Sequence, residues 1–366
     1  MRENRSLAIV DNTDPDNLAC VLALANAKVK HRLLGVIVTG RAANFNPIAA
    51  LEDVSLHDSE VIRRINAMRM RNFLTNAGHS DVPVYMGNVA SHTIVPHKVH
   101  IDERDFADLT EEQRRNAENL MPWHQLGLDG KTRDVVNTIM LRDLMVDVIV
   151  GGPMTDLAML IRELPDFAEK IRTVHAQFGT FGFGTKGLME FGDRPRGKRQ
   201  FNVACDPSAA HDVLMSLKAP IYLYPSDVTR VDALGFQNPE ELADHLEDTP
   251  GARELLRIYR IAYEKMIKPR GEKIYIHDLA PAFGYLDRYP FAQDEIEDRG
   301  ARAQENMYTM KPVEILGVPH LPEERDSWGE IRVDFNRANF SGFLPRYVAT
   351  KVNIERYLRE LRRLVR

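Results

Sequence analysis

Short runs that are apolar at every position, too short for helices and separated by amphipathic segments, constrain this chain more than any other feature. SLAIV, LLGVIVTG, PVYMG, VDVIVGG, RTVHAQFG and APIYLYP are of this kind. Between them lie ACVLALANAKV, a segment from about Ser59 to Asn76, LAMLIREL, and a segment from about Pro207 to Leu217. These have helical spacing. A strand that is apolar on both faces must be covered on both, and a parallel sheet between helices does this. The predicted fold class is therefore α/β, a mainly parallel β-sheet flanked by helices, with the active site at the strand C-terminal ends where loops converge. No internal repeat, low-complexity tract or convincing linker divides the chain. Residues 1–366 are expected to form a single domain.

Composition narrows the partners. Hydrophobic residues are 44% and charged residues 28%, with a formal net charge of -5 and a pI near 6.2, so no global basic field points to nucleic acid or an anionic membrane. Only Cys20 and Cys205 occur, both in apolar stretches, too few for a disulfide framework or a zinc cluster. They read as core residues. MRENRSLAIV runs directly into a strand with no signal-like segment, and no run of about 18 apolar residues exists, so a cytoplasmic location is expected.

Three polar stretches interrupt the alternation: residues 88–133, residues 184–199 (GTKGLMEFGDRPRGKR) and residues 290–345. Long polar connections of this kind serve as lids, binding loops or subunit contacts. His92, His97, His100 and His124 with Trp123, and Tyr285 with Tyr289, are candidates for a lid. A surface cluster without metal-ligand spacing is the alternative.

The stretch VDNTDPDNLA, residues 10–19, follows the first strand and carries three aspartates and two asparagines. Pro15 forces a turn, and Asp16 or Asn17 is a good N-cap for the next helix. One cap uses one side chain, and five are present. Crowded carboxylates at a strand end repel unless a cation or a hydroxyl-rich ligand lies among them, and a hard cation such as calcium suits oxygen ligands. A solvated turn with one capping aspartate is the other reading. Further strand ends carry GGPMTDLAML, with the carbonyl and hydroxyl of Thr155, and QFNVACDPSAA, where Asp206 caps a helix with Pro207 at its first position. Gln200 and Asn202, two apart, point the same way if that segment is extended. IYIHDLAPAFGYL places His277 and Asp278 at a helix start.

Taken in order, VDNTDPDNLA, GGPMTDLA, QFNVACDPSAA, SDVTRV and IHDLA resemble the successive motifs of the inosine-uridine preferring nucleoside hydrolase (N-ribohydrolase) family, and VNIERYLREL resembles its closing helix. The resemblance spans nearly the whole chain. It implies an N-glycosidase acting on a nucleoside-like small molecule with a calcium-held water, usually as a homodimer or homotetramer. It also implies Asp278 and the Thr155 carbonyl as metal ligands, Asp278 and Asn202 as substrate contacts, and His277 beside the leaving base as a proton donor.

The first loop departs from the family pattern and admits two registers. Without gaps, Thr13 falls at the general-base aspartate, Asn17 at the ribose-binding aspartate and Leu18 at the bidentate calcium ligand. Aligned on Asp-Pro, Asp14 becomes the base and a metal ligand, Asp16 the ribose contact and Asn17 a weakened metal ligand. The second register accounts for both aspartates. Gln200 replaces a ribose-contacting glutamate and Arg41 an asparagine, and the loop 184–199 adds Lys186, Arg194, Arg196, Lys198 and Arg199. Less negative charge suits a modified or anionic substrate, since Arg binds phosphate and carboxylate well. A solvated basic turn is the plainer reading of the loop. A metal-poor, noncatalytic relative that binds a nucleoside-like ligand is the alternative to the enzyme, and transfer rather than hydrolysis is a third reading.

Overall fold

The computed structural model describes residues 4–11, 15–27, 31–40, 56–89, 109–181, 200–288, 306–335 and 344–363. Within them a ten-stranded sheet has the order β4-β3-β2-β1-β5-β6-β7-β10-β8-β9. The strands are β1 Asn4–Val10, β2 His31–Gly40, β3 Val84–Val89, β4 Gly130–Lys131, β5 Val146–Val150, β6 Ile171–Ala176, β7 Ile221–Leu223, β8 Tyr308–Gly317, β9 Arg332–Asp334 and β10 Arg346–Val352. All pairings from β4 to β10 are parallel; β10 with β8 and β8 with β9 are antiparallel. The α/β class and the mainly parallel sheet are as expected.

The helices are α1 Pro15–Asn26, α2 Leu56–Asn76, α3 Glu111–Glu118, α4 Thr132–Leu141, α5 Thr155–Glu163, α6 Pro165–Ala168, α7 Phe201–Cys205, α8 Pro207–Ser216, α9 Ser226–Thr229, α10 Pro239–Ala243, α11 Pro250–Ala262, α12 Leu279–Arg288 and α13 Ile354–Arg363. They cover both faces. Along β1 the fully buried Ala8 and Val10 join the core beneath α1, α2, α11, α12 and α13, whereas Leu7 and Ile9 join the core beneath α4, α5 and α8. Period-two alternation between two cores is what the doubly apolar runs require. Burying one such side chain contributes about 1.5–3 kcal/mol.

Strand order sets the position of the site. From β1 the chain steps outward through β2, β3 and β4, then returns beside β1 with β5 and steps the other way through β6 and β7. The crevice between the carboxyl ends of β1 and β5 is thus the point where the winding direction reverses, and ligands bind at such points in open α/β sheets. Asp11 and Gly151 are the first residues beyond those two strands.

Two expectations about the polar stretches change. Part of residues 290–345 is sheet: in β8, Val313 and Ile315 are buried while Lys311 and Leu316 are exposed, the half-buried pattern of an outer strand. Tyr285 is fully buried, its hydroxyl bonded to His31 Nδ1 at 2.9 Å, so it is no lid residue. Trp123 and His124 form a short 3-10 turn packed edge to face at 5.5 Å, whereas His92, His97, His100, Tyr289 and the loop 184–199 lie outside the described residues. Both cysteines are buried, and no described helix is long and apolar enough to cross a membrane.

Candidate active site

Helix α1 begins at Pro15, so Asp16 and Asn17 occupy its first turn and neither is the N-cap. Proline suits a first helical position, and an aspartate just behind it faces the positive end of the helix dipole. Both side chains are buried, Asp16 at 6% and Asn17 at 1% exposure. Leu18, one residue further, turns into the hydrophobic core.

Asn17 donates its Nδ2 to Asp11 Oδ1 at 2.9 Å. Because a carboxylate oxygen accepts only, this bond fixes which end of the amide faces which way. The opposite end, Oδ1, is buried and has no hydrogen-bond partner among the described residues. It faces Gly151 and Asp278: a Cβ on Gly151 would lie 2.9 Å from Asn17 Oδ1 and 3.2 Å from Asp278 Cβ. Gly152 is as crowded, its Cβ position 2.9 Å from the Asp11 amide nitrogen. The GGP turn is therefore glycine-rich because the Asn17 and Asp278 side chains crowd Gly151 and the chain leaving β1 crowds Gly152. Asn66, from α2, holds the Asp11 carbonyl at 3.0 Å.

From the other side comes the segment leading into α12. Asp278 is 5% exposed, and its backbone N–H points at Asp16 Oδ2 at 3.4 Å. Burial raises the Cys20 thiol pKa, and the charges of Asp278 and Asp16 raise it further, which places both carboxylates around the same turn of α1. Next to Asp278, His277 has Nδ1 2.8 Å from Thr229 Oγ1, and its ring stacks on Tyr275 with centroids 5.7 Å apart.

The third wall is an amide cluster. Gln200 caps α7, its Oε1 accepting from the Val203 N–H at 3.0 Å, while Nε2 donates to Gln177 Oε1 at 2.7 Å. Asn202 Nδ2 donates to the same Gln177 oxygen at 3.1 Å and to the Gly151 carbonyl at 3.5 Å. The segment is a cap and a helical turn, not an extended chain, because the Gln200 side chain closes the turn; the two residues converge through Gln177 instead. Gln177 lies just past β6, the same strand-end position as Asp11 and Gly151, and that position was the available signal for it.

Thr155 follows the GGP turn. It opens α5, and its hydroxyl donates to Asp206 Oδ2 at 2.8 Å, while Asp206 Oδ1 caps α8 by accepting the Ala209 N–H at 3.0 Å. Gly151, earlier in the same turn, lies against Asn17 and Asp278. Asp156 is fully buried among the hydroxyls of Thr39 and Thr132 and the amides of Asn88. Burial raises its pKa, and these four donors oppose the rise. It ties the ends of β2 and β3 to α5. Asp14 and Arg41 lie outside the described residues.

Among the described residues no group of three or more His, Cys, Asp or Glu side chains could hold a metal. The oxygen-bearing side chains that do converge are those of Asp16, Asp278 and Asn17, beside Gly151. Hard oxygens of this kind fit a cation such as calcium, with less negative charge than an all-carboxylate set would bring.

Fold and candidate site together define a class: α/β proteins with acidic and amide side chains gathered at the carboxyl ends of a mainly parallel sheet. A sequence profile described as inosine-uridine preferring nucleoside hydrolase matches residues 9–358, and the chain belongs to that family of N-glycosidases. No curated protein matches it significantly by sequence. Among solved structures, it is similar to a purine-preferring ribonucleoside hydrolase from Gardnerella vaginalis (TM-score 0.62, 16% identity, 98% of each chain covered). It is also similar to a plant nucleoside hydrolase (0.65, 15%, 99% of this chain and 98% of that one). A third similar structure is an inosine-uridine preferring nucleoside hydrolase from Bacillus anthracis (0.61, 16%, 99% of each).

Proposed function

We propose that this N-glycosidase hydrolyses a nucleoside-like substrate in the crevice between β1 and β5, with a calcium ion held among Asp14, Asn17, Asp278 and a carbonyl of the residue 151–155 turn. The observation that carries this reading is the convergence of Asn17 Oδ1 and Asp278 on the Cβ-less Gly151, where no protein donor meets the Asn17 oxygen among the described residues. When bound, the cation supplies a Lewis acid for a water and an anchor for vicinal hydroxyls. Thr155 is the carbonyl that the motif implies, and Gly151 of the same turn is an alternative.

The remaining roles belong to the chain itself. Leu18 in the core supports the Asp-Pro register, which leaves Asp14 as the general base. Asp16 and Asn202 flank the place of the ribose, where their oxygens accept from its hydroxyls. Positive charge grows on the sugar as the bond to the base breaks, and buried carboxylates at that face favour it. His277 donates a proton to the departing base. Gln200, neutral and held by Gln177, together with Arg41 lowers the negative charge of the pocket, which suits an anionic substituent on the substrate.

The test is ribose release from a panel of nucleosides and their 5′-phosphates, alongside calcium titration of chelator-treated protein by calorimetry. Hydrolysis that stops with chelation and returns with calcium is the expected outcome. Saturable nucleoside binding without ribose release would establish the noncatalytic relative instead, a reading that the neutral Asn17 favours. Arg41→Ala should harm phosphorylated substrates more than neutral ones, and equal loss on both removes the anionic-substituent idea. A homo-oligomer in the cytoplasm is the expected setting, and light scattering of the purified protein tests the assembly.

A further inference from the structure

The amide wall beyond β6 has a polarity, and one backbone group fixes all of it. The Val203 N–H can only donate, so the Gln200 atom that it meets at 3.0 Å is Oε1 and the opposite end is Nε2. That Nε2 lies 2.7 Å from a Gln177 side-chain atom, which must then be the acceptor, Oε1. The Asn202 atom 3.1 Å from the same oxygen, and 3.3 Å from the Gln177 carbonyl, is therefore the donor Nδ2. Both ends of the Gln200 amide are engaged within the protein. Gln177, only 3% exposed, keeps the two N–H donors of Nε2 without a partner among the described residues. Its place is fixed as well. The Gly151 N–H donates to the Ile9 carbonyl at 2.9 Å and the Gln177 N–H to the Val150 carbonyl at 3.0 Å, so the ends of β1, β5 and β6 stand side by side. A buried donor left over beside such a crevice costs stability until a ligand oxygen meets it.

We infer that Gln177 is a specificity-determining residue, donating from Nε2 to the substrate oxygen carried on C5′ of the sugar. This rests on the reading of the crevice as a ribose site. There the cation anchors the vicinal hydroxyls and His277 lies toward the base, which leaves the C5′ substituent as the sugar oxygen outside the ring that meets this wall. Asp16 and Asn202 present oxygens to hydroxyl hydrogens; Gln177 presents hydrogens to an oxygen. A hydroxyl and a phosphate both offer such an oxygen, and a C5′ without one leaves the amide unmet. The motif implies an acceptor, glutamate, at position 200. Here that position is occupied by an amide engaged inside the protein, and a donor from outside the motifs faces the substrate instead.

Inosine, 5′-deoxyinosine and inosine 5′-phosphate are compared in the wild type, Gln177→Met and Gln177→Glu, by kcat/KM and by calorimetric binding. The wild type should prefer inosine to 5′-deoxyinosine by at least about tenfold, the worth of a buried donor that is met rather than left unmet. In Gln177→Met that preference should shrink below about threefold, whereas damage to the fold alone would lower both substrates alike and leave their ratio standing. Gln177→Glu still accepts from Gln200 and Asn202 but turns an oxygen outward in place of the donor. It should keep inosine within about tenfold of wild type, since a hydroxyl can reverse its bond, and weaken the phosphate by a further factor of about 100 through like-charge contact. A smaller wild-type preference, an unchanged ratio in Gln177→Met, or no selective penalty on the phosphate in Gln177→Glu overturns the inference. Whichever of inosine and its phosphate the wild type takes better identifies the source of the oxygen as a hydroxyl or a phosphate. If no ribose is released from any of the three, it is the hydrolase reading that falls, and the same ratios measured in binding still decide the role of Gln177.

Discussion

The two ends of the sheet bury similar side chains and use them differently. At the amino ends of the strands, Ser6 Oγ meets His31 Nε2 at 3.1 Å, and His31 Nδ1 meets the Tyr285 hydroxyl at 2.9 Å. Close by, Asp147 accepts from Arg172 at 2.5 Å and from Thr173 at 2.8 Å, with Tyr285 as a further donor. Charge is paired there and each contact ends on another side chain. At the carboxyl ends, Asp16 and Asp278 crowd together and the amide oxygen of Asn17 points at a glycine. Helix α12 joins both, with Asp278 just before its start and Tyr285 two turns along. A closed polar network stabilises a fold, whereas crowded acids and an aimed oxygen cost stability that a ligand restores.

Asp278→Asn gives the largest effect expected of that contrast. Removing one carboxylate from the open end should lower kcat/KM by about a thousandfold, equivalent to about 4 kcal/mol of transition-state stabilisation, and leave the urea midpoint unchanged or higher. Activity within tenfold of wild type would break the contrast. Arg172→Met acts at the closed end. Asp147 is fully buried, and burial already raises its pKa against the pull of Arg172. Without its partner, stability should drop by about 3 kcal/mol in urea denaturation, with kcat of the folded protein unaltered.

The parts of the molecule legible in the sequence are those that depend on local pattern. The runs around Leu7 to Val10 and Val146 to Val150 had to be covered strands, and Asp206 before Pro207 had to be a cap. The helix-start pair His277 and Asp278 and the acidic first loop were legible as strand-end features. Other contacts depend on which segments meet, and no local pattern records that. Gln177 binds Gln200 and Asn202 across 23 and 25 residues, and Thr229 binds His277 across 48. Asn17 was taken as a cap candidate because its type suits one; its bond to Asp11 needs the chain to turn back on itself. The strand β8 escaped notice because only alternate residues such as Val313 and Ile315 are buried.

A smaller effect concerns pH. Burial, aided by the charge of Arg172, pushes the His31 pKa from 6.5 down to about 4. The unfolded chain therefore takes up a proton that the folded chain refuses between those values. Its contribution to stability is complete above pH 6.5, declines as pH falls toward 4, and levels off below. Between pH 7 and pH 5 this one group should remove on the order of 1–2 kcal/mol. His31→Gln should flatten that part of the curve. A slope unchanged in the variant would show that the closed end does not exclude the proton.

Tyr357→Phe probes the place where the two ends meet and is the smallest change. From α13, its hydroxyl donates to the Ile276 carbonyl at 3.2 Å, one residue before His277, and its ring packs edge to face on Phe283 at 5.2 Å. By location this bond serves the open end; by character it is closed, donor to acceptor within the protein. The loss of one such bond costs about 1 kcal/mol, because a buried carbonyl loses its donor while the ring keeps its packing. Character predicts that stability falls by this amount and kcat/KM by less than about threefold, since Asp278 also has Gly151 and Asp16 around it. Location predicts the reverse, a large kinetic loss with little change in stability. Measured together, the urea midpoint and kcat/KM on the best nucleoside decide which property governs. A kinetic loss comparable to that of Asp278→Asn would mean that the C-terminal helix sets the geometry of the site.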